Sequence, residues 1–87
     1  MIIPNPSPEG KNISINLTLH NQANVQLKIF DTRGNLISEL FDGYMQEGSQ
    51  KFNWNCKNLT GKEVTAGVYI LFLNFDGVIL SEKIIIE

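Results

Sequence analysis

The sequence predicts an all-β fold, in which about seven short strands form two antiparallel sheets packed face to face around one interior. Six segments of five to nine residues alternate apolar and polar side chains or run apolar, and turn residues separate them. No long segment has the three- and four-residue apolar spacing of a helix. A single sheet would leave one apolar face in water, so two sheets must cover each other.

Length and composition indicate one globular domain that spans residues 1–87. The chain is 43% hydrophobic and 18% charged, which is too apolar for a disordered segment. The net charge is −2, and the seven basic residues are scattered as singles. Nucleic acid binding normally requires a clustered basic surface, so we expect no nucleic acid partner.

The first two predicted strands alternate strictly. Residues 13–19 place apolar side chains on one face and polar side chains on the other, and residues 25–29 repeat the pattern. Residues 21–24 supply the turn between them.

A tight turn and a less regular strand follow. Asp31 and Gly34 are typical turn residues, and the Asp31 side chain can cap the turn. Residues 36–41 break the alternation, which predicts a bulge or an early strand end. The pairs at 42–43 and 47–48 are expected to bracket a loop.

The second half of the chain predicts three more strands. Residues 50–54 form the fourth strand, and the polar residues 55–66 form a long connection. Residues 68–75 and 78–86 are apolar runs joined by Asp76-Gly77, a strong hairpin signal.

The fifth predicted strand is apolar on both faces. In a two-layer sandwich only one face of a strand meets the core. The second face is therefore either covered by loops or the N-terminal segment, or it is a contact surface for a partner. Its residues are Val68, Ile70 and Phe72.

The N-terminal residues 1–10 are rich in proline, which blocks helix and interrupts a strand ladder. Pro4, Pro6 and Pro8 predict an extended lead-in, either the end of a linker or a docked edge segment. No apolar run reaches about 18 residues, so we expect no transmembrane segment. The start of the chain also lacks the features of a signal peptide, so an export signal would lie elsewhere.

Catalytic and metal-binding equipment is not indicated. Cys56 and His20 are the single cysteine and the single histidine, and they lie far apart in sequence. Asp31, Asp42 and Asp76 are each expected in a turn, where backbone hydrogen bonds explain an aspartate and a calcium site is the alternative. We therefore expect a non-catalytic protein without a cofactor.

Three aromatic residues are candidates for stacking on sugars. Trp54 shares the parity of Phe52, which favours packing in the core. Tyr44 is expected in a loop, and Tyr69 lies on the fifth strand.

The order of these motifs resembles the type A C-terminal sorting domain of the type IX (Por) secretion system of Bacteroidetes-type bacteria. The resemblance covers nearly the whole chain, although Glu82 stands where a second lysine is common and the chain ends on Glu87. The motifs are Pro4-Asn5-Pro6, the run 25–31, the run 33–37, Gly48-Ser49, Phe52-Asn53-Trp54, Gly67-Val68-Tyr69, Gly77 and Lys83-Ile84-Ile85-Ile86.

This resemblance implies an immunoglobulin-like, fibronectin III-like sandwich that directs an N-terminal cargo protein to the cell surface. The implied partners are the outer-membrane secretion machinery and a sortase-like peptidase that removes the module. The implied recognition residues are Gly67, Val68, Tyr69, Lys83, Ile84, Ile85 and Ile86. If the last strand lies at a sheet edge, a receptor could pair with it by strand addition.

The sequence is also similar to the immunoglobulin-like domain of flagellar hook-capping proteins. The residues that carry this similarity are Trp54, Gly61, Val64, Gly67 and Tyr69. It implies the alternative function, a structural or binding module of a multidomain extracellular protein, with carbohydrate as one conceivable contact.

Overall fold

The computed structural model describes the backbone of residues 2–6 and the backbone and side chains of residues 12–87. Within this part of the chain the protein consists of strands and turns without helix. The seven strands are β1 (Ile2–Pro6), β2 (Ile13–Leu19), β3 (Ala23–Asp31), β4 (Leu36–Met45), β5 (Gly48–Trp54), β6 (Gly67–Phe75) and β7 (Val78–Ile86).

The strands form two antiparallel sheets, which confirms the predicted sandwich. One sheet has three strands in the order β1-β2-β5, and the other has four in the order β4-β3-β6-β7. β4 and β7 are therefore the two edges of the larger sheet.

Residue alternation places one row of each central strand in the shared interior. In β3, for example, Val25, Leu27 and Ile29 are buried while the residues between them reach the outer face. Burying one such side chain contributes about 1.5–3 kcal/mol relative to leaving it in water. The other core residues are Ile13, Ile15, Leu17, Leu19, Ala23, Met45, Trp54, Cys56, Tyr69, Leu71, Leu73, Ile84 and Ile86.

The hairpin between β6 and β7 turns on Asp76 and Gly77, as predicted. Their φ angles are 49° and 85°, which is the pair of positive values that a two-residue type I′ turn requires. The Gly77 amide also donates a hydrogen bond to Asn74 Oδ1 at 3.0 Å. This turn fixes the register along all nine residues of both strands.

The predicted end of the third strand at residue 41 is wrong, and so is the loop expected from Asp42 to Gly48. β4 continues to Met45, with Asp42 opposite Gln26 and Gly43 opposite Val25 on β3. The cross-strand ladder thus overrides the turn preference of an Asp-Gly pair. Asp42 consequently lies in a strand and not in a turn.

The predicted irregularity of this strand is confirmed. The β3–β4 register shifts between Leu27 and Lys28 and again between Ile29 and Phe30. Each shift inserts an unpaired residue, which explains why the apolar residues of β4 do not keep a two-residue period.

The N-terminal prolines occupy an edge strand, so the docked alternative holds for Ile2–Pro6. β1 pairs antiparallel with β2, with Pro4 opposite Ile15 and Pro6 opposite Ile13. Proline lacks an amide proton and is tolerated in a ladder at an edge. Pro8 and the rest of the lead-in lie outside the described residues.

Candidate functional site

The structure brings the seven sequence-predicted recognition residues together at one corner of the four-stranded sheet. Gly67 lies opposite Ile86, Val68 opposite Ile85, and Tyr69 opposite Ile84. Lys83 follows on β7, opposite Ile70. We call this group of seven residues the β6–β7 corner.

Three residues of the β6–β7 corner belong to the core. Tyr69, Ile84 and Ile86 point inward and are buried. The Tyr69 ring packs edge-on against Trp54, with 5.7 Å between the ring centroids. These three residues stabilise the corner and present no side chain to a partner.

The Tyr69 hydroxyl anchors the start of β6. It donates a hydrogen bond of 2.7 Å to the backbone oxygen of Thr65, four residues upstream. This arrangement corresponds to the tyrosine corner of immunoglobulin-like sandwiches. It holds the end of the 55–66 connection against the core.

The remaining side chains of the corner face solvent on the outer side of the sheet. Val68, Lys83 and Ile85 are exposed, and Ile85 keeps 60% of its surface in water. They are the residues of the corner that a partner can contact directly.

The second apolar face of β6 is only partly covered. Phe72 is half-buried because Phe30 on β3 packs edge-on against its ring at 5.6 Å. Ile70 is half-buried as well, whereas Val68 is exposed. The outer face therefore carries an apolar strip that ends at the β6–β7 corner.

Gly67 begins β6 with a φ of 151°, a backbone conformation that residues with a side chain rarely adopt. A Cβ at this position would meet no heavy atom within 4 Å. Glycine is therefore required by backbone conformation and not by lack of space.

The 55–66 connection beside the corner is held by its own hydrogen bonds. Asn58 Oδ1 accepts from the Thr60 and Lys62 amides at 3.0 and 3.1 Å. Trp54 Nε1 donates to the Lys57 oxygen at 3.0 Å. A groove of about 400 Å³ lies between this connection and the end of β3, and it is lined mainly by polar groups.

Cys56 lies in this connection and is buried, as expected for a small side chain near a loop. Burial raises the pKa of its thiol, and the nearby Glu63 carboxylate raises it further. A thiol that stays protonated near neutral pH is a weak nucleophile.

The predicted turn role of Asp31 is confirmed. Its Oδ1 accepts from the Arg33 and Asn35 amides at 2.9 Å each, and its Oδ2 accepts from Asn35 Nδ2 at 3.0 Å. The side-chain and backbone hydrogen bonds from Asn35 are the main reason that the Asp31 pKa lies below its ordinary value.

Asp76 also has the structural role that its turn position predicted. Its Oδ1 accepts from the Asn24 amide at 3.1 Å. Among residues 12–87 no group of three or more His, Cys, Asp or Glu side chains is arranged to hold a metal ion.

The three aromatic candidates for sugar stacking differ in solvent exposure. Trp54 is only 1% exposed, which confirms its predicted place in the core, and Tyr69 is buried beside it. Tyr44 is 53% exposed, but it lies in β4 and not in a loop.

A second groove, at the opposite end of the sandwich, was not anticipated from the sequence. Its volume is about 340 Å³. His20, just after β2, and Asp76 reach this groove, but most of its lining is apolar. The lining includes Leu17, Leu19, Ala23, Leu73, Phe75 and Val78.

No segment in the described part of the chain forms a helix with the length and apolar character needed to cross a membrane.

Comparison with known proteins shows the family and identifies two solved structures with the same fold. The FlgD Ig-like domain family matches residues 5–73, a range that ends within β6 and leaves β7 outside. None of the curated proteins searched matches the chain.

Two solved structures share the fold. FlgD from P. aeruginosa superposes with a TM-score of 0.63 at 21% identity, over 90% of this chain and 62% of that protein. PorZ of Porphyromonas gingivalis, described as an essential bacterial surface component of the type IX secretion system, gives a TM-score of 0.55 at 27% identity. That match covers 97% of this chain but only 10% of PorZ.

The chain thus spans less than two thirds of each of these proteins. The seven-strand sandwich and the match over most of the sequence agree with each other. The chain belongs to the FlgD Ig-like domain family.

Proposed function

We propose that this domain is a non-catalytic sorting and anchoring module that directs an attached N-terminal cargo protein through the type IX secretion system to the cell surface. The observation that carries the proposal is the similarity of 97% of the chain to part of PorZ, a surface component of that system. The order of sequence motifs from Pro4-Asn5-Pro6 to the terminal apolar run supports the same assignment.

A folded sorting module must present its signal on its surface. In the β6–β7 corner, Val68, Lys83 and Ile85 are the side chains available to the outer-membrane machinery. The buried residues Tyr69 and Ile84 hold these three in place from behind. A sortase-like peptidase would then separate the module from its cargo.

The absence of catalysis is part of this proposal. Burial keeps the Cys56 thiol protonated, and the Asp31 carboxylate is engaged by the turn that it caps. These two groups are thus committed to structural roles.

The export test uses a reporter cargo fused in front of the module in a bacterium with a type IX secretion system. Deleting residues 84–87 would remove the buried Ile84 and Ile86 and would unfold the domain, so exposed residues are the better targets. We expect the double variant Val68→Ser and Ile85→Ser to abolish export of the reporter while changing thermal stability little.

Leu59→Ser is the matched control for this test. Leu59 is 64% exposed, close to the 60% of Ile85, but it lies in the 55–66 connection and not on β6 or β7. The control should export normally. Equal export by the double variant and the wild type would contradict the sorting role.

The second candidate function is a structural or binding module that contacts carbohydrate. The exposed Tyr44 ring on β4 is the observation in its favour. Titration with bacterial polysaccharides should then change tyrosine fluorescence in the wild type but not in Tyr44→Leu. An unchanged wild-type signal would exclude this function for the polysaccharides tested.

A further inference from the structure

The two halves of β7 differ in how the sandwich covers them. Every second residue of β7 lies on the inward face, because the buried residues Leu73, Leu71 and Tyr69 of β6 lie opposite three of them. These inward residues are Val78, Leu80, Glu82, Ile84 and Ile86. Ile84 and Ile86 are 3% and 6% exposed, whereas Val78 and Leu80 are 50% and 39% exposed. The first half of β7 therefore carries inward apolar side chains that keep a large part of their surface in water.

A mainly apolar groove lies at the start of β7. Val78 lines the groove together with Leu73 and Phe75 of β6 and Leu19 of β2. The groove, of about 340 Å³, thus adjoins the start of β7 at Val78. We call residues 78–82 with this groove the β7 entry site.

In the described part of the chain, β7 pairs with β6 and with no other strand. It is the edge of its sheet, and its pairing with β6 runs from Val78 to Ile86 without a register shift. The opposite edge, β4, is interrupted by two shifts in its pairing with β3. A regular edge is a better template for strand addition than an irregular one.

Glu82 determines which strand fits this edge. It lies opposite Leu71, on the inward face, and is exposed. In the described part of the chain, the one ion pair joins Lys28 and Glu39 on the outer face, so Glu82 forms no ion pair with a described residue. A second copy that paired β7 along its full length would place Glu82 opposite Glu82, and like charges opposite each other are destabilising.

We propose that the β7 entry site binds an extended strand of a partner protein by β-strand addition. The partner strand carries apolar side chains in every second position toward the groove and a lysine or arginine opposite Glu82. This inference rests on the proposed function, since it identifies the class of partner that contacts the module. It locates the contact on residues 78–82, on the opposite half of β7 from the recognition residues Lys83 to Ile86.

The test uses two synthetic peptides with the nine-residue length of β7. In both, valine and threonine alternate and valine occupies both ends, but the central residue is lysine in one peptide and glutamate in the other. Binding to the isotope-labelled domain is followed by backbone amide chemical shifts. We expect the lysine peptide to bind about three- to tenfold more tightly, with the largest shifts in β7.

The variant Glu82→Lys should reverse this preference. Glu39→Lys is the matched control, because Glu39 lies on the other edge strand, and it should leave the preference unchanged. Equal binding of both peptides to the wild type, shifts concentrated on β4, or no binding at all would overturn the proposal.

Self-association provides a second readout. Glu82→Val removes the like-charge contact and should produce dimers in sedimentation velocity under conditions where the wild type is monomeric. Glu39→Val should remain monomeric. A Glu82→Val protein that stays folded and monomeric would contradict the role assigned to Glu82.

The peptide assay tests the strand-binding site and the export assay tests the sorting role, so either proposal can be refuted without the other. Normal peptide preference with normal export of the Val68 and Ile85 double variant would refute the sorting role and leave the strand-binding site intact. Loss of export without any peptide preference would refute the strand-binding site and leave the sorting role intact.

Discussion

The two ends of the sandwich are built from the same kind of strand but are closed very differently. At one end, Trp54 and Tyr69 pack together and Ile84 and Ile86 are buried beneath the β6–β7 corner. Hydrogen bonds from Tyr69 to Thr65 and from Trp54 to Lys57 tie the 55–66 connection to this core. We call this the closed end.

The other end, the open end, lacks such a cap in the described residues. β2 and β3 are joined by a short connection, Val78 and Leu80 of β7 are left partly in water, and Val78 lines the apolar groove. The alternation of β7 is the same at both ends, so the covering elements decide whether an inward residue becomes core. The open end therefore exposes apolar surface that a partner can cover.

Removing the central side chain of the closed end should have the largest effect. Trp54→Ala deletes a fully buried ring and the hydrogen bond to Lys57, and we expect a loss of about 3–5 kcal/mol in the free energy of unfolding. Urea denaturation followed by circular dichroism measures this loss. A loss below about 1 kcal/mol would mean that the closed end is not the main source of stability.

A pair of substitutions on β7 compares the two ends directly. Ile84→Ala should cost about 2–5 kcal/mol because the side chain is buried. Leu80→Ala, on the same strand and face, should cost about 1 kcal/mol because much of Leu80 is already in water. Equal costs in urea denaturation would contradict the difference between the ends.

The hydrogen bond of the tyrosine corner should contribute less. Tyr69→Phe keeps the ring against Trp54 but leaves the Thr65 oxygen without its donor, with an expected cost of about 1 kcal/mol. Faster amide exchange in residues 55–66, with unchanged exchange around the 76–77 turn, would show that the effect is confined to the closed end.

The smallest effect concerns Asp31, whose turn lies at the closed end. Its pKa in the folded protein lies below its ordinary value of 3.8, so its ionised form favours folding. This contribution is present in full well above pH 3.8, starts to decline as the pH approaches this value, and is lost as the pH falls through the lower pKa of the folded state. Melting temperatures should therefore fall more steeply below this pH for the wild type than for Asp31→Asn, and parallel curves would contradict the capping role.

Most of the fold follows from the sequence because two local signals act together. Two-residue alternation identified β2 and β3, apolar runs identified β6 and β7, and Asp76-Gly77 set the β6–β7 register. Once that turn is fixed, Gly67 to Tyr69 must lie opposite Ile84 to Ile86, so the β6–β7 corner was implied by the sequence.

The remaining features depend on contacts between distant segments. Asp42 and Gly43 have turn preferences, but pairing with β3 holds them in a strand. The exposure of Val78 and Leu80 depends on which residues of other strands pack over them, which alternation does not encode. The one local signal for the β7 entry site was Glu82, a charge on the inward parity of an apolar strand.

Native-state hydrogen exchange along β6 and β7 tests the difference between the two ends most directly. We expect amides near Tyr69 and Ile84 to exchange only through global unfolding, and amides near Leu73 and Leu80 to exchange through local opening with a lower free energy. Uniform protection along the whole hairpin, or stronger protection near Leu80 than near Ile84, would contradict a closed and an open end.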